Sequence, residues 1–368
     1  MFRADITAAP SIGGRRSNRA HTIVSTLWKE QAQDMAQTKP RVFSGIQPTG
    51  GTHIGNYLGA IRNWVDQQDM YDNIFCIVDL HAITVPYEAG DLLERKMDMA
   101  KILLASGIDP ERSILFMQSD VREHSELAWI LGTQAMFGEL RRMTQFKEKS
   151  GGQESVSVGL FGYPVLQAAD IILYDAEKVP VGEDQKQHIE LTRDITIRFN
   201  ANFGETFVVP EPDIKKVGAR VMSLDDPFSK MSKSNPNEGS RVELRDTPSQ
   251  ISKKIRRAVT DSGSEVRYDE NEKPAVSNLI NIYSLFARIS VSEVEERYAG
   301  KGYGDFKKDL AEIVVEGLRP IQERITELDE SPDEVYRLID EGRQRAEAIA
   351  RPKMERVRHV TGLTFTNS

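Results

Sequence analysis

From Arg41 onward, short apolar runs alternate with stretches in which apolar residues recur every three or four positions, the two periods that separate strands from helices. Arg41 to Gly45 reads as a strand. Tyr57, Leu58, Ile61, Trp64 and Val65 share one helical face, Ile74 to Asp79 is the next strand, and Leu92, Leu93, Met97, Ala100 and Leu104 mark a helix before the strand Ile114 to Gln118. This strand-helix-strand-helix-strand order predicts a parallel sheet of Rossmann type. Ligands of such sheets sit beyond the carboxyl ends of the strands, where Gly45 to Asn56 would lie.

After about Glu238 strand signals fade and charged helical periodicity takes over, as in Ile251 to Val259 and Val276 to Phe286. The last helix opens at Ser331-Pro332-Asp333-Glu334, where Ser331 can cap, Pro332 fits the first turn and Glu334 completes a capping box. Pro352 should kink or end it. The expected architecture is therefore α/β: a Rossmann-type parallel-sheet domain over 41–238 and an α-helical domain over 239–368. Residues 1–40 lack apolar periodicity and carry six basic against three acidic residues, which reads as a disordered extension. Two origins stay open for it: an organelle transit peptide, which Asp5, Glu30 and Asp34 weaken, or a true start at Met35.

Composition narrows the classes. The chain has 368 residues, 39% of them apolar, with no run near the roughly 18 apolar residues that a membrane span needs. Its one cysteine, Cys76, falls in the strand-like Ile74-Phe75-Cys76-Ile77-Val78, so an internal disulfide and a multi-thiolate zinc site are both excluded. A net charge of −8 is awkward for a nucleic-acid binder, although basic clusters occur at Arg141-Arg142, Lys147-Lys149, Lys253-Lys254 with Arg256-Arg257, and Arg351 to Arg358. Each alone also reads as ordinary helix surface.

Two motifs carry chemistry. Lys230-Met231-Ser232-Lys233-Ser234 puts two lysines and two hydroxyls on one compact loop, suited to a developing pyrophosphate; it would arise by chance in a chain this long roughly once in several thousand sequences. Thr52-His53-Ile54-Gly55-Asn56 follows a strand and opens a helix, the setting in which backbone N–H groups meet phosphates. Together they point to adenylation of an acid by ATP. Gly182-Glu183-Asp184-Gln185 allows two readings: close backbone approach with Asp184 accepting ribose hydroxyls, or a helix start whose acidic residues suit the dipole. Asp170 stands in the otherwise apolar helical run Leu166 to Ile172, where an unpaired carboxylate would cost several kcal/mol, so it demands a partner.

These motifs, with Phe43 to Gly50, Met143 to Ser150, Ala168-Ala169-Asp170, Gly182 to His188 and Gly218 to Ser234, resemble the class I aminoacyl-tRNA synthetases, and within them the bacterial-type tryptophanyl-tRNA synthetases. The resemblance runs from about Arg41 to about Leu363 and leaves residues 1–40 uncovered. It implies activation of L-tryptophan by ATP with Mg2+, release of pyrophosphate, and transfer of tryptophan to the 3′-terminal adenosine of tRNA(Trp). It further implies a cytoplasmic homodimer, with tRNA reaching across both subunits and 239–368 binding the anticodon arm.

By that resemblance His53 and Asn56 contact the ATP phosphates, Gly55 lets adenine lie near the backbone, and Lys230 and Lys233 hold the leaving pyrophosphate. Gln47, Pro48 and Thr49 line the same site, Met231, Ser232 and Ser234 complete the lysine loop, Val221 lies near the adenine, and Gly182, Glu183 and Asp184 serve the ribose. Lys149 looks like a further phosphate ligand, a basic helix face being the other reading. Asp170 takes the indole N–H; Phe43, Gly45, Ile171, Val179 and Val181 form the slot; Tyr163 and Gln185 address the α-ammonium group. Gln167 departs from a methionine common in the family. Two other readings remain: a tyrosyl-tRNA synthetase, and a synthetase-like paralogue that charges no tRNA, which the retention of His53, Asn56, Lys230 and Lys233 argues against.

Overall fold

A computed structural model of the chain describes residues 39–144, 156–182, 185–213 and 220–365. The expected N-terminal extension over 1–38, Lys149, Glu183 and Asp184 lie outside the described residues. Pro40–Ser368 form one compact unit.

Five parallel strands make one sheet in the order β3-β2-β1-β4-β5, with β1 at Arg41–Ile46, β2 at Asp72–Ile77, β3 at Ser113–Met117, β4 at Lys178–Pro180 and β5 at Glu211–Asp213. The first three match the strands read from the sequence. β4 and β5 are three residues each and contain Pro180 and Pro212, so they leave no alternating run to detect. Successive residues of β2 face opposite ways. Phe75 and Ile77 join one core with Ile54, Leu58 and Ile61, whereas Ile74 and Cys76 join another with Phe43, Ile114 and Phe116. Cys76 is a buried free thiol, as its place in an apolar strand predicted.

The helices after residue 239 share these cores. Val276, Ile280, Leu310 and Leu318 continue the first, and Ala346, Ala350, Met354 and Val357 of the last helix, Pro332–Val360, complete the second. That helix passes very close over β3: a Cβ built on Gly342 would stand 1.9 Å from the Leu115 carbonyl oxygen. Only glycine fits there.

One expectation about this helix is corrected. Ser331 makes no side-chain cap, and the Glu334 carboxylate turns instead to Arg324 at 2.7 Å, so a cross-helix ion pair displaces the capping box. Of the two outcomes expected at Pro352, an end is excluded, because the helix runs through it. Pro352 and Ala348, whose carbonyl the proline leaves unpaired, are both exposed, so water can take over the lost hydrogen bond.

Candidate active site

β1 and β2 pair along six residues, from Arg41 with Asp72 to Ile46 with Ile77, but β1 and β4 pair only at Val42 with Lys178. Past that point the two strands share no register. The chain leaves β1 toward β2 and β3 on one side and returns to β4 and β5 on the other, so the parting lies at the switch point of the sheet, where α/β folds bind ligands. A cavity of about 510 Å3 opens there, lined by Phe43, Ser44, Gly45 and Gln47 from the β1 side, and by Val179, Val181, Gly182 and Gln185 from the β4 side. His81, Gln167, Asp170 and Ile171 line it as well. A methyl group on Gly45 would press on Val78 Cγ1 at 3.1 Å, so this glycine keeps the slot open. Its volume lies within the range of small-molecule sites.

Asp170 comes from the helix Val158–Ile172 and is 1% exposed. The partner its burial demands is supplied threefold by the protein. His81 Nε2 lies 2.7 Å from Oδ2, while Gln118 Nε2 at 2.6 Å and His124 Nδ1 at 2.7 Å both reach Oδ1. His124 Nε2 in turn meets the Tyr174 hydroxyl at 2.8 Å. A carboxylate only accepts, so the facing imidazole nitrogens carry the protons. Burial pushes the Asp170 carboxyl up, but the hydrogen bond from His124 and the charge and hydrogen bond of His81 prevail and lower it to about 2. The aspartate is ionised at any working pH.

The histidine motif folds as Ile54–Asn56, a π-helical turn at Tyr57–Ile61, and Arg62–Asp66. π turns inside helices concentrate at functional sites. Here the turn carries Gly59 and Ala60 into the cavity wall, followed by Asn63 and Trp64. His53 N–H donates to Asn56 Oδ1 at 3.3 Å, which occupies the oxygen of Asn56 and leaves its amide donors the end suited to phosphate. His53 is 3% exposed, and its Nδ1 has no partner. Burial first, then Lys233, Arg241 and Lys230, lower its pKa to about 4, so the ring is neutral at pH 7. A Cβ on Gly55 would lie 2.9 Å from His53 Nδ1, so Gly55 is required by the imidazole itself.

The lysine loop is anchored by Met231, 2% exposed, whose N–H bonds to the carbonyl of Val221, also buried. Ser234 N–H and Oγ both lie 3.2 Å from Ser232 Oγ, so the serines brace the loop internally. Lys230 is exposed. Lys233 donates to the carbonyls of Thr49 at 2.9 Å and Gly50 at 2.8 Å, which ties the loop to the residues just after Gln47 in the cavity wall. Burial is the main reason its ammonium is lowered to about 8, against the pull of Glu243 and Asp98. Arg241 joins the two motifs: its Nε meets Glu243 Oε1 at 2.8 Å, its Nη1 donates to Asn235 O at 3.0 Å, and the adjoining Val242 carbonyl accepts from Ile54 N–H.

The cavity thus gathers Phe43, Gly45, Gln167, Asp170, Ile171, Val179, Val181 and Gln185, with Gln47 and Gly182 at the same wall. Tyr163 is not in that lining; its hydroxyl bonds His188 Nε2 at 2.9 Å and its ring meets His81 edge-on at 6.1 Å. Sequence reasoning missed His81, Gln118, His124, Arg241 and Glu243. A signal existed for the first two: His81 lies four residues beyond the carboxyl end of β2 and Gln118 directly follows that of β3, where a parallel sheet places its site.

A family model described as class I tRNA synthetases (W and Y) matches residues 35–319. The chain belongs to this family. The synthetase is 55% identical over 323 residues to the tryptophan--tRNA ligase of Caldanaerobacter subterraneus subsp. tengcongensis, covering 88% of this chain and 98% of that one. Among solved structures, the tryptophanyl-tRNA synthetase of Mycoplasma pneumoniae superposes with a TM-score of 0.80 at 35% identity, over 89% of this chain and 99% of that one. That of Campylobacter jejuni, complexed with ADP and tryptophan, gives 0.77 at 37% identity over 88% and 99%.

Proposed function

We propose that the synthetase is a tryptophan–tRNA ligase, which activates L-tryptophan with ATP and transfers it to tRNA(Trp). The observation that carries this reading is one cavity at the switch point with an ionised, buried aspartate inside it and Gln47 at its wall, two and three residues before the carbonyls that Lys233 holds. A donor-only indole N–H is what a buried carboxylate fits, and a buried acceptor left unmatched penalises phenylalanine. Several relatives carry the tryptophan name over nearly their whole length.

Activation needs no general base, because the α-carboxylate is already ionised. It attacks the α-phosphate in line, and the protein contributes position and charge. Neutral His53 and the Asn56 amide lie at the helix start, the end that suits phosphate oxygens, while Lys230 and Lys233 take the charge of the departing pyrophosphate. Mg2+ would come with the nucleotide, held mostly by phosphates and water. The described residues place no group of three or more His, Cys, Asp or Glu for a metal ion.

The helices beyond 239 serve the anticodon arm, and 41–238 the adenylate chemistry. Two copies assemble as a homodimer: the helices Glu123–Gly132, Phe137–Arg141 and Val158–Ile172 pack on one another and expose Trp129 at 79%, Phe137 at 69% and Val158 at 85%. No helix of the described residues is long and apolar enough to cross a membrane. ATP–pyrophosphate exchange with each of the twenty amino acids tests the reading. Tryptophan alone should support exchange, and tyrosine doing so in its place would move the assignment to the other branch of the family.

A further inference from the structure

Asp170 touches the cavity, but two of the three side chains that bind it do not. His81 lines the cavity wall with Asp170, whereas Gln118 and His124 are absent from that lining and fully buried, each 0% exposed. The two hidden donors converge on one oxygen, Oδ1, and the cavity-side donor takes the other, Oδ2. A carboxylate oxygen offers two lone pairs. Oδ1 is therefore filled from within the protein, and Oδ2 keeps one lone pair beyond its bond to His81.

We infer that Gln118 and His124, backed by Tyr174, are positioning residues that fix the Asp170 carboxylate so that Oδ2 is presented to the ring N–H of the substrate. The inference rests on the reading of the cavity as a tryptophan pocket and assigns the side chains that make it selective for that N–H. The terminal torsion of an aspartate is broad and roughly two-fold, so an unbraced carboxylate would sample many planes. Two donors on one oxygen, 2.6 and 2.7 Å away, choose one plane. His124 cannot turn in its place, because its Nε2 is held by the Tyr174 hydroxyl and its ring lies against both Phe116 and Tyr174, with centroids 5.8 and 5.4 Å away. The same donors keep the carboxylate ionised in a fully buried site, which a charge-assisted bond to the substrate requires.

The test compares tryptophan with its benzothiophene analogue, in which sulfur replaces the ring N–H, in ATP–pyrophosphate exchange by the full chain. The wild type should prefer tryptophan by about 10- to 100-fold in kcat/KM, the range for a hydrogen bond to a charged group. H124L should lose most of that preference through a higher KM for tryptophan, with the analogue little affected. H124N, whose Nδ2 can stand in for the imidazole Nδ1, should restore it. Q118M and Y174F should lower it less, and they carry the test if H124L does not fold. A general loss of structure would depress both substrates together and leave the ratio unmoved. An unchanged ratio in an H124L that melts like the wild type, or in both Q118M and Y174F, overturns the inference. The D170N variant separates it from the underlying reading: a preference lost in D170N but kept in the other variants overturns only the positioning role, whereas a wild type with no preference overturns the pocket reading along with it.

Discussion

Around Asp170, the polar atoms facing the carboxylate come from side chains no more than 6% exposed, and both oxygens are engaged. Around His53 and Lys233 the opposite holds: the buried Nδ1 of His53 has no partner, and Lys233 is bound to backbone carbonyls that a phosphate could replace. A group that reads the identity of a substrate must hold its geometry before the substrate arrives, since any reorganisation would subtract from selectivity. A group that stabilises developing charge works differently. Its interactions have to strengthen as the reaction proceeds, and bonds that can be exchanged for phosphate contacts allow that.

The widest separation between the two regions should appear with K233A. Removing the ammonium should slow single-turnover adenylate formation by about 100- to 1,000-fold, the range for loss of one preorganised charge-stabilising donor. Tryptophan affinity should change little, because Lys233 bonds to the Thr49 and Gly50 backbone outside the amino-acid slot. Equal losses in rate and in tryptophan affinity would erase the distinction.

D170N probes the other side. Three donors converge on a group that can only accept, and an amide would turn its own NH2 toward one of them while losing the charge. We expect a loss of about 1.5–3 kcal/mol in kcat/KM for tryptophan, carried mainly by KM. Unaltered kinetics would remove Asp170 from recognition and leave its network a structural one.

A smaller effect follows from pH. Burial holds the Lys233 ammonium at about 8, below the ordinary 10.5 of lysine, so the charge is lost as pH rises through 8. The free enzyme governs kcat/KM, so kcat/KM for ATP should fall above pH 8, by up to about tenfold per pH unit, while Asp170, ionised down to about 2, adds no limb between pH 5 and 8. K233R, whose guanidinium does not titrate in this range, should lose the alkaline limb at a lower plateau. A limb that persists in K233R belongs to another group.

Much of this was legible in the chain. The strands β1 to β3 declare themselves because each contains a short buried apolar run, Val42-Phe43, Ile74 to Ile77 and Ile114 to Met117, and the lysine loop declares itself because its five residues are contiguous. The Asp170 network does not, since His81, Gln118 and His124 stand 89, 52 and 46 residues from it and converge only when the strands lie side by side. An apolar run announces that Asp170 is buried, yet nothing local announces that the protein itself supplies three of its partners. The Ser331 cap failed for a related reason: a local signature was outcompeted by Arg324, ten residues from Glu334 in sequence and adjacent in the helix pair.

The weakest expected effect concerns the basic residues of the helix Pro248–Arg257, far from either loop in role. The sequence groups Lys253, Lys254, Arg256 and Arg257, but Lys254 is committed to Asp246 at 2.6 Å, and Lys307 closes the helix end by donating to the Ala258 carbonyl. Lys253, Arg256 and Arg257 remain exposed. A backbone phosphate held by a basic side chain contributes about 0.7–0.9 to the slope of log K against log salt and reads no base. Replacing these three with alanine should therefore raise KM for tRNA and flatten its salt dependence by about that amount for each phosphate released, with pyrophosphate exchange unchanged. K254A should instead lower thermal stability modestly, because it leaves the buried Asp246 carboxylate without its cation. If the triple variant charges tRNA with the wild-type salt slope, the helix is a solvated face, and the division between adenylate chemistry and RNA binding runs elsewhere in the helical segment.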